Sequence, residues 1–484
     1  MNMRRALACL VWWAIPFVAW SQPPSDMKSV ADQLAASIYN GPSMATLGEL
    51  TDSIGGRLTG SPAYIRSTEW AVAKFRSYGI DNVRLDPFTI DAGWQRGTVS
   101  AAMLTPTARP LYAASLGWAP STPPGGVQGS VVVVVDLAPD GLKSRENELR
   151  GKIVFLDTTK IYAEGWGKAL PKIELAYSVF HKSGVLAVIV PDHEKNNVIN
   201  AHSGMWGTKL LPVPAAEIGM EDAQLIQRDL QRGPVTLQLN IENKTSGETT
   251  VNNVVAEIRG SERPDEWILI GAHLDSWDFG TGAQDNGTGA VSVLEVGRAL
   301  MSLGKAPRRS VRLVLWGGEE EGLLGSYAYT QEHLRELDQC VAVLNTDNGA
   351  GHPKGWKVEG RDDLKKAMQP WSDALLRNLS GGDLSTETTY DTDHGPFVLQ
   401  GIPALDLLVD ETHYMEIHHK SSDTLDKVDA LDFKAGEAIV AVTAYAIAQS
   451  ETPIAPHIDH AAVGEIVRKA NLEDMLVNVG VWKP

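Results

Sequence analysis

The sequence predicts an α/β protein: a mostly parallel sheet sandwiched by helices, interrupted by an inserted small α/β or β-rich domain. Three observations carry this reading. From Val251 onward, short apolar runs alternate with segments of helical period, as in strand-helix-strand units whose sheet is covered on both faces. Between about Thr107 and Thr245 the pattern changes to short strands separated by turn-rich stretches. The chain of 484 residues also exceeds one ordinary core, so two structured domains are expected. With 43% hydrophobic and 21% charged residues, the composition is globular rather than disordered.

Met1 to Ser21 has two early basic residues (Arg4, Arg5), an apolar stretch from Ala6 to Trp20, and Ala19 and Ser21 spaced for cleavage. This predicts a secretory signal at 1–21 and an exported protein in the periplasmic or extracellular space. The apolar run is shorter than the roughly 20 residues of a membrane-spanning helix, which disfavours an anchor. Cys9 lies too near the start for lipid attachment behind an apolar segment. Removing the segment takes two arginines and no acid, moving the formal charge from −17 to −19 and arguing against nucleic acid as a partner. Only Cys340 then remains, so no intrachain disulfide is available. No later segment is long and apolar enough to span a bilayer.

Ser25 to Tyr78 reads as helical, broken by the loop IGGRLTGSP at 54–62, and a strand pair is expected over Val83 to Leu104. The stretch 107–245 carries strands at Val131 to Val135, Ile153 to Leu156 and Val185 to Val190, with a helix near Ile173 to Lys182. The main domain, 22–106 and 246–450, places buried strands at Trp267 to Ala272, Val311 to Trp316, Val341 to Asn345 and Ala404 to Leu408. Ala290, Val293, Leu294, Gly297 and Met301 share one helical face, with Thr288 as its expected N-cap. A last apolar helix spans Phe433 to Gln449, and 451–484 forms a tail without an assigned place.

In open α/β sheets, ligands bind at the carboxyl ends of the strands. His273 directly follows one expected strand, Glu319 and Glu320 follow another across two glycines, and Asp347 follows a third. Asp285 precedes a helix, and His419 comes from a polar loop after the last strand. Three carboxylates and two imidazoles suit two divalent ions, with one carboxylate bridging. Two ions bring +4 and three carboxylates −3, so one hydroxide neutralises the assembly. Of the adjacent Glu319 and Glu320, one can face a metal while the other moves a proton. Asp275 is placed to orient the second nitrogen of His273. Taken singly, a histidine at a strand end or an acid before a helix is commonly structural; their joint placement at the strand ends points to a metal centre.

The stretches GAHLDSWDFGTGAQDNGTG (271–289), LVLWGGEEEGLLGS (313–326), NTD (345–347), DTDHGPF followed by GIPAL (391–405) and HHKSSDT (418–424) resemble the bimetallic zinc aminopeptidase and glutamate carboxypeptidase family. Within it they are most similar to the plasma glutamate carboxypeptidase type of dipeptidase. The resemblance runs over nearly the whole mature chain. It implies the zinc exopeptidase fold, with 107–245 as an inserted protease-associated domain that covers or shapes the site. It further implies that Asp285 bridges two Zn²⁺ ions, that His273 and Asp347 complete one site, and that Glu320 and His419 complete the other. Glu319 matches the general base. His419, four residues before Asp423, matches the ligand rather than His418. Asp393 and His394 match a block near the substrate cleft.

A metallo-exopeptidase acting on dipeptides or short peptides is therefore expected, of aminopeptidase or dipeptidase type, with carboxypeptidase action as the alternative. A homodimer is implied by the resemblance alone. Manganese or cobalt could use the same donors. A single-zinc glutaminyl cyclase and a receptor-like binding protein are disfavoured because all five ligands and Glu319 are present. His202, His352 and His413 read as structural.

Overall fold

The computed structural model describes residues 25–163 and 165–484, which form two eight-stranded sheets. The expected signal segment at 1–21 lies outside the described residues. With strands numbered in chain order, the first sheet runs β1 (Val83–Ile90), β10 (Thr249–Ile258), β12 (Arg309–Trp316), β11 (Arg263–His273), β13 (Cys340–Asn345), β16 (Ala404–Val409), β14 (Pro353–Lys357) and β15 (Asp383–Ser385). Its centre, β12-β11-β13-β16, is parallel. The antiparallel pairings β1-β10, β10-β12 and β14-β16 lie outside that centre.

The apolar runs are continuous because both faces are covered. In β11, Ile268, Ile270 and Ala272 join one core beneath the helices Ser25–Tyr39, Thr288–Ser302 and Ala430–Gln449. Trp267 and Leu269, on the opposite face by the period of two, pack with Trp316, Tyr329 and Phe397. Ala430–Gln449 is buried nearly all round from Phe433 to Ala448, and Asp429 caps it by accepting the N–H groups of Leu431 and Asp432.

The second sheet runs β3 (Arg109–Leu111), β2 (Trp94–Thr105), β9 (Thr236–Thr245), β5 (Val127–Val134), β6 (Ile153–Leu156), β7 (Ala187–Pro191), β8 (Ala215–Ile218) and β4 (Ala113–Ser115). Here the expected strand pair over 83–104 is corrected. Both strands exist, but β1 pairs with β10 and β2 with β9, so they belong to different sheets. Alternation identifies a strand without identifying its partner. Thr288 is a second correction: Gly287 occupies the cap position, and the Thr288 hydroxyl instead donates back to the Gln284 carbonyl at 3.2 Å.

The tail contains two helices, His460–Lys469 and Glu473–Asn478. Val463, Val467, Leu476 and Trp482 are buried there with Leu323, Tyr390 and Leu399. No helix among the described residues is long and apolar enough to cross a membrane.

Candidate metal centre

The site lies at the carboxyl end of the parallel strands. His273 is the last residue of β11, and Asp347 stands two residues beyond β13. After β12 the chain turns through Gly317 and Gly318. A Cβ at Gly317 would collide with the Tyr64 hydroxyl, and Gly318 has φ +73°, so both positions call for glycine. That turn delivers Glu319 and Glu320. On the far side, His419 has φ +59°, which brings two consecutive imidazoles to the same side: the rings of His418 and His419 stack with centroids 3.7 Å apart.

These side chains converge on Asp285. Its Oδ1 is 3.3 Å from His273 Nε2, and its Oδ2 is 3.4 Å from His419 Nε2. His273 Nε2 also lies 3.1 Å from Asp347 Oδ1, and His419 Nε2 lies 3.0 Å from Glu320 Oε2. One carboxylate thus faces two separate groups of donors, each with an imidazole and a further carboxylate. Asp285 Oδ2 is buried without a hydrogen-bond partner, as suits an atom whose natural partner is a cation. The oxygen and imidazole donor set fits a pair of divalent ions. Glu319 reaches within 3.9 Å of His273 Nε2 and is somewhat less deeply buried than Asp285.

The electrostatics reflect this crowding. Burial raises the Asp285 carboxyl, but His273, His418 and His419 outweigh it and hold the group well below its usual range. Burial pushes Glu319 and Glu320 well above the usual carboxylate range; the charge of His273 opposes this in both, while neighbouring acids add to it. Burial also pushes His418 down to about 4, assisted by His419, and lowers His419. Both imidazoles are therefore neutral near neutral pH, the form that ligates metal.

The supporting contacts differ in part from expectation. The Nδ1 of His273 lies 3.0 Å from the backbone carbonyl of Asp275, whereas the carboxylate Oδ1 is 3.7 Å away. The Asp275 carboxylate instead accepts the Thr59 hydroxyl at 2.9 Å and the N–H groups of Glu319 and Glu320, each at 3.4 Å. It therefore ties the His273 strand end to the glutamate turn. Asp393 is buried with both oxygens unpartnered, and burial pushes it up to about 8 against the influence of His273. His394 turns into a buried network away from the metal donors: its Nδ1 meets Thr392 Oγ1 at 2.7 Å, and its Nε2 lies 3.4 Å from Glu359.

Three supporting residues lie beyond the expected set. Arg57, fully buried, donates to the carbonyls of Leu274, Thr281 and Gly282 at 2.7, 2.8 and 3.0 Å, shaping the loop between His273 and Asp285. Asp423 accepts the N–H groups of Gln284 and Asp285 at 2.7 and 3.1 Å. His418 Nε2 stands 3.6 Å from Asp285 Oδ2, almost as near as its neighbour. The motif HHKSSDT contains two of these residues, and IGGRLTGSP contains Arg57, but neither string reveals the contacts.

A sandwiched parallel sheet carrying such donors at its carboxyl end defines a metallo-exopeptidase. Comparison with known proteins agrees. Residues 253–444 match peptidase family M28. The chain is 31% identical over 427 residues to carboxypeptidase Q of Mus musculus, covering 88% of this chain and 89% of that protein. A crystal structure of a peptidase M28 precursor from Shewanella amazonensis is similar with a TM-score of 0.74 at 31% identity, covering 90% of this chain and 99% of the other. A zinc aminopeptidase from Bacillus subtilis shares the fold, with a TM-score of 0.64 at 20% identity over 83% of this chain and 93% of its own. The chain belongs to peptidase family M28.

Proposed function

We propose that the protein is an exported dinuclear zinc peptidase that hydrolyses the terminal peptide bond of dipeptides and short peptides. His273 and Asp347 would hold one ion and Glu320 and His419 the other, with the Asp285 carboxylate shared between them. The observation that carries this reading is the Asp285 carboxylate, with one oxygen toward each imidazole. When bound, two such ions polarise the scissile carbonyl and make a nucleophilic water available near neutral pH. Glu319 takes the proton from that water on its carboxylate and hands it to the leaving amine. Its place beside His273, less deeply buried than Asp285, supports the role.

A dipeptide has both ends beside its single peptide bond, so a dipeptidase fits either a carboxypeptidase name, such as the mouse relative carries, or an aminopeptidase name, such as the Bacillus subtilis structure carries. The second-sheet unit, which takes in β2 as well as the expected insert 107–245, acts as a non-catalytic cover; this role is supported by the N–H of Ala201 donating to the His419 carbonyl at 2.8 Å and that of Gly207 to the Glu321 carbonyl at 3.1 Å. Export rests on Met1 to Ser21 and predicts a mature amino terminus at Gln22 by mass spectrometry of the exported protein.

The deciding experiment measures metal content and turnover of a dipeptide panel with each end blocked in turn, with and without chelator. Two zinc ions per chain and turnover that is lost on chelation and restored by zinc are expected. A protein that takes up no divalent metal, or that when metal-loaded cleaves no short peptide, defeats the proposal.

A further inference from the structure

A second group of metal-ligating side chains converges where the helix Leu324–Glu332 ends against the edge strand β1. Asp86 on β1, Glu332 as the last helical residue and His333 as its C-cap each place a donor atom within 4.8 Å of the others. His333 Nε2 lies 3.2 Å from Asp86 Oδ1. Donors at the candidate metal centre stand 3.0–3.4 Å apart, so this spacing is of the same kind. Two donors at about 2.1 Å from a tetrahedral ion are separated by about 3.4 Å. Asp86 lies 247 residues from His333, so no local motif announces the group.

The imidazole is held from behind. Its Nδ1 faces Glu336 Oε1 at 3.3 Å, and Tyr329 packs on the ring with centroids 4.4 Å apart. Glu336 is itself fixed by Arg312 at 2.9 Å, and its N–H donates to the His333 carbonyl at 2.8 Å. A carboxylate on one ring nitrogen, with further donors facing the other, is the arrangement that orients a metal-binding histidine. A neutral imidazole has one N–H for its two carboxylates, so the second contact calls for a metal ion or a second proton between the atoms. Glu332 favours the ion: it is exposed, pairs with no cation among the described residues, and brings a third carboxylate to the same point. The charges agree. Arg84 approaches Asp86 only to 4.0 Å, and Arg312 is divided between Glu257 and Glu336 at 3.0 and 2.9 Å. Four acids thus share two arginines, which leaves two negative charges for a divalent ion, and the carboxyl end of the helix adds its own partial negative charge.

We infer that Asp86, Glu332 and His333 form a further, structural site for a divalent transition-metal ion of the zinc class, with water completing its shell. The ion fastens the end of the helix Leu324–Glu332 to β1. The start of the same helix is already tied: Asn253, the register partner of Asp86, accepts the Gly317 N–H at 3.1 Å and donates to the Gly325 carbonyl at 3.0 Å. Gly317 opens the turn that carries Glu319 and Glu320, so the ion braces the element on which that turn is mounted. With three protein ligands at an exposed position, the site fills after the buried pair: two ions are held at low free zinc and a third adds as zinc is raised.

The test does not depend on the peptidase reading, because it reads a difference of one ion rather than a total. Wild type, His333→Ala and Glu332→Gln are dialysed against graded free zinc, with metal content, circular dichroism and thermal unfolding measured alongside. At saturating zinc below the millimolar range, wild type is expected to hold one ion more than His333→Ala, and its unfolding midpoint to climb further. Glu332→Gln should bind that ion about tenfold more weakly and fold as wild type does without zinc, since its exposed side chain holds nothing else in place. It therefore carries the test even where His333→Ala fails to fold. Equal ion counts and affinities in wild type and the folded variants, or an extra ion that enters only at millimolar zinc, overturns the site while the peptidase reading stands. A wild type with a single ion that His333→Ala loses supports the site and removes the dinuclear centre.

Discussion

His418 and His419 are adjacent in sequence, yet their rings stack 3.7 Å apart and present their Nε2 atoms to the same oxygen of Asp285, at 3.6 and 3.4 Å. Only His419 also meets a second carboxylate, Glu320. His419→Ala should therefore lose about one of two bound zinc ions, whereas His418→Ala should keep both. Metal analysis of the two purified variants decides between them. Equal metal loss would make both imidazoles ligands.

Glu319 stands beside the donors rather than between them. Glu319→Gln should keep its metal and its KM while kcat falls about 10²- to 10⁴-fold. Steady-state kinetics on metal-matched samples measures this, and unchanged turnover would remove Glu319 as the base.

Chelation should lower thermal stability as well as activity. Asp285, Glu320 and Asp347 are buried close together, and ions bound to the native state alone stabilise it by about 2.7 kcal/mol at a hundredfold excess over Kd. Thermal unfolding with graded free zinc should show a midpoint that climbs with concentration. A flat response would mean that zinc does not bind the folded protein preferentially.

Arg57 holds the loop between His273 and Asp285 through three carbonyls. Lysine carries the charge but not the planar fork, so Arg57→Lys leaves buried carbonyls unpaired, at about 1–3 kcal/mol each. Stability should fall, and zinc affinity should weaken by about 10- to 100-fold, as for other residues that orient ligands. Calorimetric titration with zinc measures the affinity.

Glu437 offers a pH test away from the metals. One oxygen accepts the Ser43 hydroxyl at 2.6 Å and the other is buried without a partner; burial pushes the carboxyl well above its usual range. The native state then binds the proton more tightly than the unfolded chain. Its contribution is complete below the ordinary value of 4.5 and fades as pH rises toward the folded value. Glu437→Gln should match wild type near about pH 4 and melt several degrees higher near about pH 8. A constant offset across that range would exclude the titration.

Much of this was legible because the relevant signals are local. Apolar runs locate β11, β12, β13 and β16, and the residues just beyond them fall at the carboxyl ends where ligands gather. Partnership is not local. β1 and β2 both alternate correctly, but nothing in either indicates that one joins β10 and the other β9. Thr288 has the chemistry of a cap, yet the turn through Gln284 absorbs its hydroxyl. Asp275 sits at the expected spacing, but its backbone carbonyl reaches His273 while its carboxylate serves the glutamate turn. Arg57 depends on partners from a distant segment, so composition and spacing carry no trace of its role.

The antiparallel pairing of β1 with β10, where Ile90 stands opposite Thr249, makes everything from Asp91 to Glu248 topologically the tip of one hairpin. A lineage could acquire or discard that whole unit without reordering a single strand of the catalytic sheet, since each doubling of a loop costs only about 0.6 kcal/mol in closure entropy. The same arrangement gives protein engineers a clean excision point: a two-residue turn in place of the second sheet would keep the register and uncover the ligand turns. Such a minimal enzyme would keep its metal donors but lose the backbone contacts that Ala201 and Gly207 make with His419 and Glu321.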